Sequence, residues 1–184
     1  MGLGLSAACG FRVFVPLLVL SIAALSGHAH LGSGFAWIGT YPALIAFAAA
    51  TLLEVAGYYI PVVDNFLDSV TTPAAIIAGT IVTASFAFDL SPLLKWSLAI
   101  IGGGGLAGAV QAATVATRAV STGGTGGLAN PLVSTTELGA SVVTSILSVL
   151  FPILAVLVIG TALFLVVRWV VRKRRHSSGA AIQA

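Results

Sequence analysis

Charge is what this chain has least of. Of its 184 residues, 7% are Asp, Glu, Lys or Arg and 58% are hydrophobic, and the mean hydropathy is +1.10; an ordinary water-soluble domain carries about a quarter charged residues. That scarcity excludes a soluble domain and makes lipid the solvent. Cysteine is nearly absent too: Cys9 stands alone, so there is no internal disulfide. Basic residues spread over a folded face are missing, because Arg168, Arg172, Lys173, Arg174 and Arg175 supply five of the eight Lys and Arg. This excludes the footprint of a nucleic-acid-binding domain. The glycine- and threonine-rich loop at 121–131 has no Gly-Lys-Ser/Thr ending and is no phosphate cradle. The three histidines, His28, His30 and His176, fall in a loop or in the tail. No serine, histidine and acid meet at one membrane level, so the chain is not expected to be an enzyme. The His28/His30 pair lacks a nearby third ligand, and neither a metal nor a cofactor is expected.

What the chain does have is long apolar runs. A membrane helix takes about 20 residues, so the length allows about five crossings. The fold class is all-α: a polytopic α-helical membrane protein with a short interfacial amphipathic helix. The first run, about 7–26, has Arg12 inside it and no clear cleavage signal, and is expected to be one retained helix. A lipoprotein-like box ending at Cys9 lacks the basic and apolar segments that should precede it. The myristoylation-like Met1-Gly2 with Ser6 has no use in a protein already held by several helices. A second helix is expected over 36–59, stopped by Pro61.

Between 61 and 70, apolar residues at 62, 63, 66, 67 and 70 repeat with helical period. That segment reads as the interfacial helix, with Asp64 and Asp68 on one face. A third helix fits 72–88, with Pro73 in its first turn. The fourth fits 93–119 and contains Gly102-Gly103-Gly104-Gly105; in a bilayer, such a run allows close backbone packing or a kink. The uncharged stretch 138–167 would extend about 45 Å as one helix, more than the roughly 30 Å of hydrocarbon. One helix kinked near Pro152 is preferred, and two segments, the first re-entering the membrane separately, are the alternative. The single transmembrane domain is taken as 1–171 and a disordered basic tail as 172–184. With that tail cytoplasmic, in a plasma (inner) membrane, the count of crossings sets the N-terminus outside.

In this topology Arg12, Glu54, Asp64, Asp68, Arg118 and Glu137 share the outer half of the membrane. Glu54 would lie roughly 9 Å below the boundary and needs a partner, a proton or water. Arg12 and Arg118 are the natural partners. Gln111, Thr114 and Arg118 form a polar stripe that should face the bundle. Ser134-Thr135-Thr136-Glu137 fits a capping box, in competition with an ion pair from Glu137 to Arg118. If Asp64 and Asp68 converge with Glu54, the oxygens could hold a hard cation.

Gly10-Phe11-Arg12 leading to Pro16-Leu17-Leu18, then Glu54, Ile60-Pro61-Val62-Val63-Asp64, Asp68-Ser69-Val70, Arg118, Asn130, Ser134 and Glu137 resemble a family of small bacterial membrane proteins known as domain of unknown function 4126. The resemblance covers about residues 5–165 and implies a fold but no activity. In the pattern it implies, an Asp-Lys pair stands where this chain has Tyr58-Tyr59 and a histidine where it has Thr71. Histidine and lysine replace Gln111 and Thr114, and an acid replaces Leu138. The retained set adds Asn130 to the polar layer. Two roles fit: binding or passing a small solute or ion, or holding a membrane assembly together without transport. The expected partners are the lipid bilayer, with a homo-oligomer or a membrane partner allowed, and no nucleic acid.

Overall fold

The computed structural model describes residues 1–180. Among the described residues there are seven helices: α1 (Gly2–Cys9), α2 (Phe14–Leu25), α3 (Tyr41–Tyr58), α4 (Pro61–Ser85), α5 (Pro92–Thr125), α6 (Asn130–Leu150) and α7 (Pro152–Ala180). A 3-10 turn, Ser33–Gly39, precedes α3. The chain is an all-α polytopic membrane protein. Four helices, α3, α4 (from Phe66), α5 and α6, are long and apolar enough to cross a bilayer, and α2 and the start of α7 are shorter apolar helices.

Prolines mark where these helices begin. Pro42, Pro61, Pro92 and Pro131 occupy the first or second helical position of α3 to α6, and Pro152 opens α7, where the missing N–H has no helical acceptor to lose. Thr40 and Ser91 accept backbone N–H bonds from Ala43 and Leu94 and cap α3 and α5. The α5–α6 turn uses Gly126 and Gly127 with φ of 63° and 88°, a left-handed path that glycine takes without steric cost.

Four expectations need correction. First, the run 7–26 is not one helix. α1 and α2 form a re-entrant hairpin: Gly2 stands against Thr83 and Phe86 near the end of α4, and Gly32, just past α2, donates its N–H to Ser85 O at 3.0 Å. Both limbs therefore start and finish at the end of the bundle that exposes Trp37 and Trp96, and the tip, Gly10–Val13, ends inside the bundle, with Gly10 against Ala107 and Val110 midway along α5. At about 1.5 Å per residue, neither an 8-residue nor a 12-residue limb spans a bilayer.

Second, the amphipathic segment is not separate. It is the first part of α4, which runs unbroken through Pro73; neighbouring helices let a membrane helix tolerate the lost bond. Third, the long run after 138 is two helices parted at Phe151 (φ −135°, ψ 68°). The bend is sharp, since Ser148 and Ala155, on either side of it, both stand against Gly4. From there α7 passes Leu3 and Leu106, back toward the end opposite the tryptophans. Fourth, the tail from 172 is helical as far as Ala180; 181–184 lie outside the described residues.

α1 sits at the centre, with Leu5, Ala8 and Cys9 fully buried, and it gets there by shedding side chains. The glycine run of α5 lies against α4: a methyl at Gly79 would stand 2.6 Å from Ala107 Cβ and 2.8 Å from Gly103 O. Here the glycine run gives both outcomes its sequence allowed, because Leu98–Gly104 is also wound as a π-helix, a local widening that often marks a functional segment.

Candidate functional site

At the end opposite the tryptophans, the hairpin tip meets the last turns of α3, the first part of α4, the second half of α5 and the first half of α6. Arg12 comes from the tip, Glu54 and Tyr58 from α3, Asp68 and Thr71 from α4, Gln111 and Arg118 from α5, Ser134 and Glu137 from α6. All but Asp68 are buried or nearly so.

Glu54 explains why the first apolar run breaks. Its two carboxylate oxygens accept the backbone N–H groups of Val13 and Phe14 at 2.8 and 3.1 Å. These are the free donors at the start of α2, and a carboxylate there also meets the positive end of the helix dipole. Glu54 thus acts as a cap supplied from 40 residues away, and the apolar hairpin can end inside the bundle without bare backbone donors. Its expected salt bridge to an arginine is replaced by this backbone contact.

Arg118 is the hub. Its Nε and Nη2 donate to the two oxygens of Glu137, the first at 3.2 Å, and its Nη1 donates to Asp68 Oδ1 at 2.8 Å. Glu137 is consequently an ion-pair residue. The capping-box expectation fails because α6 begins at Asn130, which puts Ser134 and Glu137 in helical turns where no free backbone donor remains. Arg12 Nη2 donates to Ser134 O at 2.9 Å and to the Ser134 hydroxyl, and stands 3.7 Å from Glu137 Oε2.

Between the two arginines lies a residue that sequence reasoning passed over. The guanidinium carbons of Arg12 and Arg118 lie 3.8 and 3.9 Å from the centroid of the Tyr58 ring, cation–π contacts that gain strength away from water. The Tyr58 hydroxyl bonds Thr71 Oγ1 at 3.0 Å and Asp68 Oδ1 at 3.4 Å, and Gln111 Nε2 donates to Thr71 Oγ1 at 3.1 Å. Tyr58 and Thr71 stand where the resemblance implies ionisable residues, which was the available signal. Phenol and hydroxyl here keep the network connected.

The remaining candidates fall elsewhere. Thr114 is buried but turns its hydroxyl to Gln111 O. Asn130 lies about two helical turns from Glu137 and bonds Thr122 across the α5–α6 turn. The Asp64 side chain lies outside the described residues, and Asp68 and Glu54 are engaged separately, not side by side. Among the described residues no group of three His, Cys, Asp or Glu could hold a metal ion. Grooves of about 290 and 330 Å³ lie along α7 among Val156, Leu157 and their neighbours, and neither borders the charged layer.

Comparison with curated proteins and with solved structures returns no match. The family model described as Domain of unknown function (DUF4126) matches residues 1–172, so the chain belongs to that family.

Proposed function

We propose that the protein binds or passes a small solute or ion at the charged layer around the hairpin tip. One observation carries the reading: two half-helices meet inside the bundle, at a layer of three carboxylates and two guanidiniums drawn from the hairpin tip and four helices. Discontinuous helices whose ends meet charge within the membrane are a recurrent construction of transport sites, and charges kept in lipid tend to serve a pathway or pair with one another.

The hairpin changes which side the layer faces. With α1 and α2 entering and leaving at the tryptophan end, α3 to α7 run alternately, and the basic run 172–175 in the later part of α7 falls on the same side as the layer. If positively charged tails stay cytoplasmic, the layer opens to the cytoplasm of a plasma-membrane protein, replacing the outer-half placement that counted the first run as a crossing. Single cysteines at Ser33, Leu128 and Ser177, probed with an impermeant maleimide in oriented vesicles, test this: labelling of 128 and 177 from one side and 33 from the other is the expected result. Flux of small ions and solutes into proteoliposomes, compared with Glu54→Gln and Arg118→Gln, tests the function; absence of flux and of bound solute across the panel counts against it.

A second reading, a non-transporting assembly protein, is favoured by the direct closure of Arg118 on Glu137 and Asp68. It predicts that the same two substitutions lower folded yield and leave flux unchanged, and that a membrane partner co-purifies.

A further inference from the structure

One face of α7 is left uncovered by the bundle. Val156, Leu157, Thr161 and Phe164 wall a notch of about 290 Å³ over Gly160, where a methyl in place of the glycine hydrogen would meet nothing within 4 Å. Leu157 and Phe164 are 62% and 63% exposed, so the notch opens outward, toward lipid. Helical spacing carries the same side of α7 on to two cations. Arg168 follows Phe164 by four residues and Arg172 follows Arg168 by four, and both are exposed. Like charges one turn apart on a helix repel each other. Nothing on the helix offsets them, because α7 contains no Asp or Glu.

We propose that this face of α7 docks one anionic phospholipid, with an acyl chain in the notch over Gly160 and the phosphate bridging Arg168 and Arg172. The inference is independent of the reading above, since the notch does not border the charged layer. Depth supports it: at about 1.5 Å per residue, Gly160 lies roughly 12 Å from Arg168, inside one leaflet's half of a hydrocarbon core about 30 Å thick. Guanidinium forks match phosphate oxygens in geometry as well as in charge, and an anion held between the two arginines relieves their repulsion. Basic residues where a membrane helix leaves the hydrocarbon attract anionic headgroups; the notch in register with the pair turns that attraction into a site. A second copy of the chain suits the face less well. Two α7 helices packed in parallel on it would set Arg168 and Arg172 against the same two residues, with no carboxylate on either helix to pair them.

Native mass spectrometry of the full chain, released from detergent after incubation with dioleoyl phosphatidylglycerol or dioleoyl phosphatidylcholine, reads the site, because the two lipids share acyl chains and differ in net charge. The expected result is one retained phosphatidylglycerol, with an apparent affinity about 10-fold or more above that of phosphatidylcholine. Arg168→Gln with Arg172→Gln should abolish the preference. Gly160→Leu, which fills the notch and keeps every charge, should weaken the retention of phosphatidylglycerol. All three positions are exposed, and substitutions at such positions leave stability nearly unchanged. Equal retention of the two lipids overturns the inference. A preference that survives loss of both arginines overturns it too and assigns the attraction to the basic residues from 173 onward. Retention indifferent to Gly160→Leu removes the acyl chain from the notch, and a lipid-free dimer that Gly160→Leu dissociates gives the face to a second copy; either result also overturns it.

Discussion

The two ends of the bundle hold the same hairpin by opposite means. At the tryptophan end α1 approaches its neighbours by having almost no side chains: Gly2 and Gly4 press on α4 and α6, and Ser6 bonds Gly79 O and Thr83. At the other end the tip is held by guanidiniums, carboxylates and a phenol. Shape decides the first end and pairing decides the second. In lipid both are needed, because apolar surface gains little by leaving acyl chains for protein, and helices associate through close packing and polar contacts.

The sharpest way to break the contrast is Arg118→Ala. It strands Glu137 and Asp68 without their hydrogen-bonded cation, and loss of one partner of a buried pair costs about 3–5 kcal/mol. A large fall in the denaturation midpoint of the protein in mixed micelles is the expected outcome, with Arg118→Lys recovering part of it. At the packed end, Gly79→Val should cost about 1–3 kcal/mol, since its Cβ collides with Ala107 and the Gly103 carbonyl; the same assay should show it destabilising at any salt concentration. Glu54→Gln removes the negative charge from the start of α2 and leaves one acceptor for two donors, a loss of about 1–2 kcal/mol. Hydrogen exchange should then accelerate at Val13 and Phe14 before it does elsewhere. The smallest effect belongs to Tyr58→Phe, which keeps the ring against both arginines and drops the bonds to Thr71 and Asp68, about 1 kcal/mol. Tyr58→Leu should cost more, and the difference between the two isolates the cation–π share.

Residues with a local reason were legible in the sequence. Pro61 stops α3 and opens α4, and the spacing of Gln111, Thr114 and Arg118 places all three on a buried face. The glycine run signals close approach by its composition alone. The failures share one cause, namely a partner far away in the chain. The first run reads as a spanning helix until Glu54 is seen capping its middle, and Ser134 to Glu137 reads as a capping box until α6 is seen to start at Asn130. Tyr58 reads only as a neutral residue in place of an ionisable one until Arg12 and Arg118 are found against its ring.

The sequence by itself determined the solvent, the helical class and the stop of α3 at Pro61. Apolar content, proline position and 3.6-residue periodicity act within a few residues. Tertiary structure alone decided that the first run turns back, that Arg118 takes two carboxylates, and that Arg12 is held by Ser134. Those outcomes depend on which helix ends meet inside the bundle, and backbone donors stripped of water accept whichever carboxylate the packing brings to them.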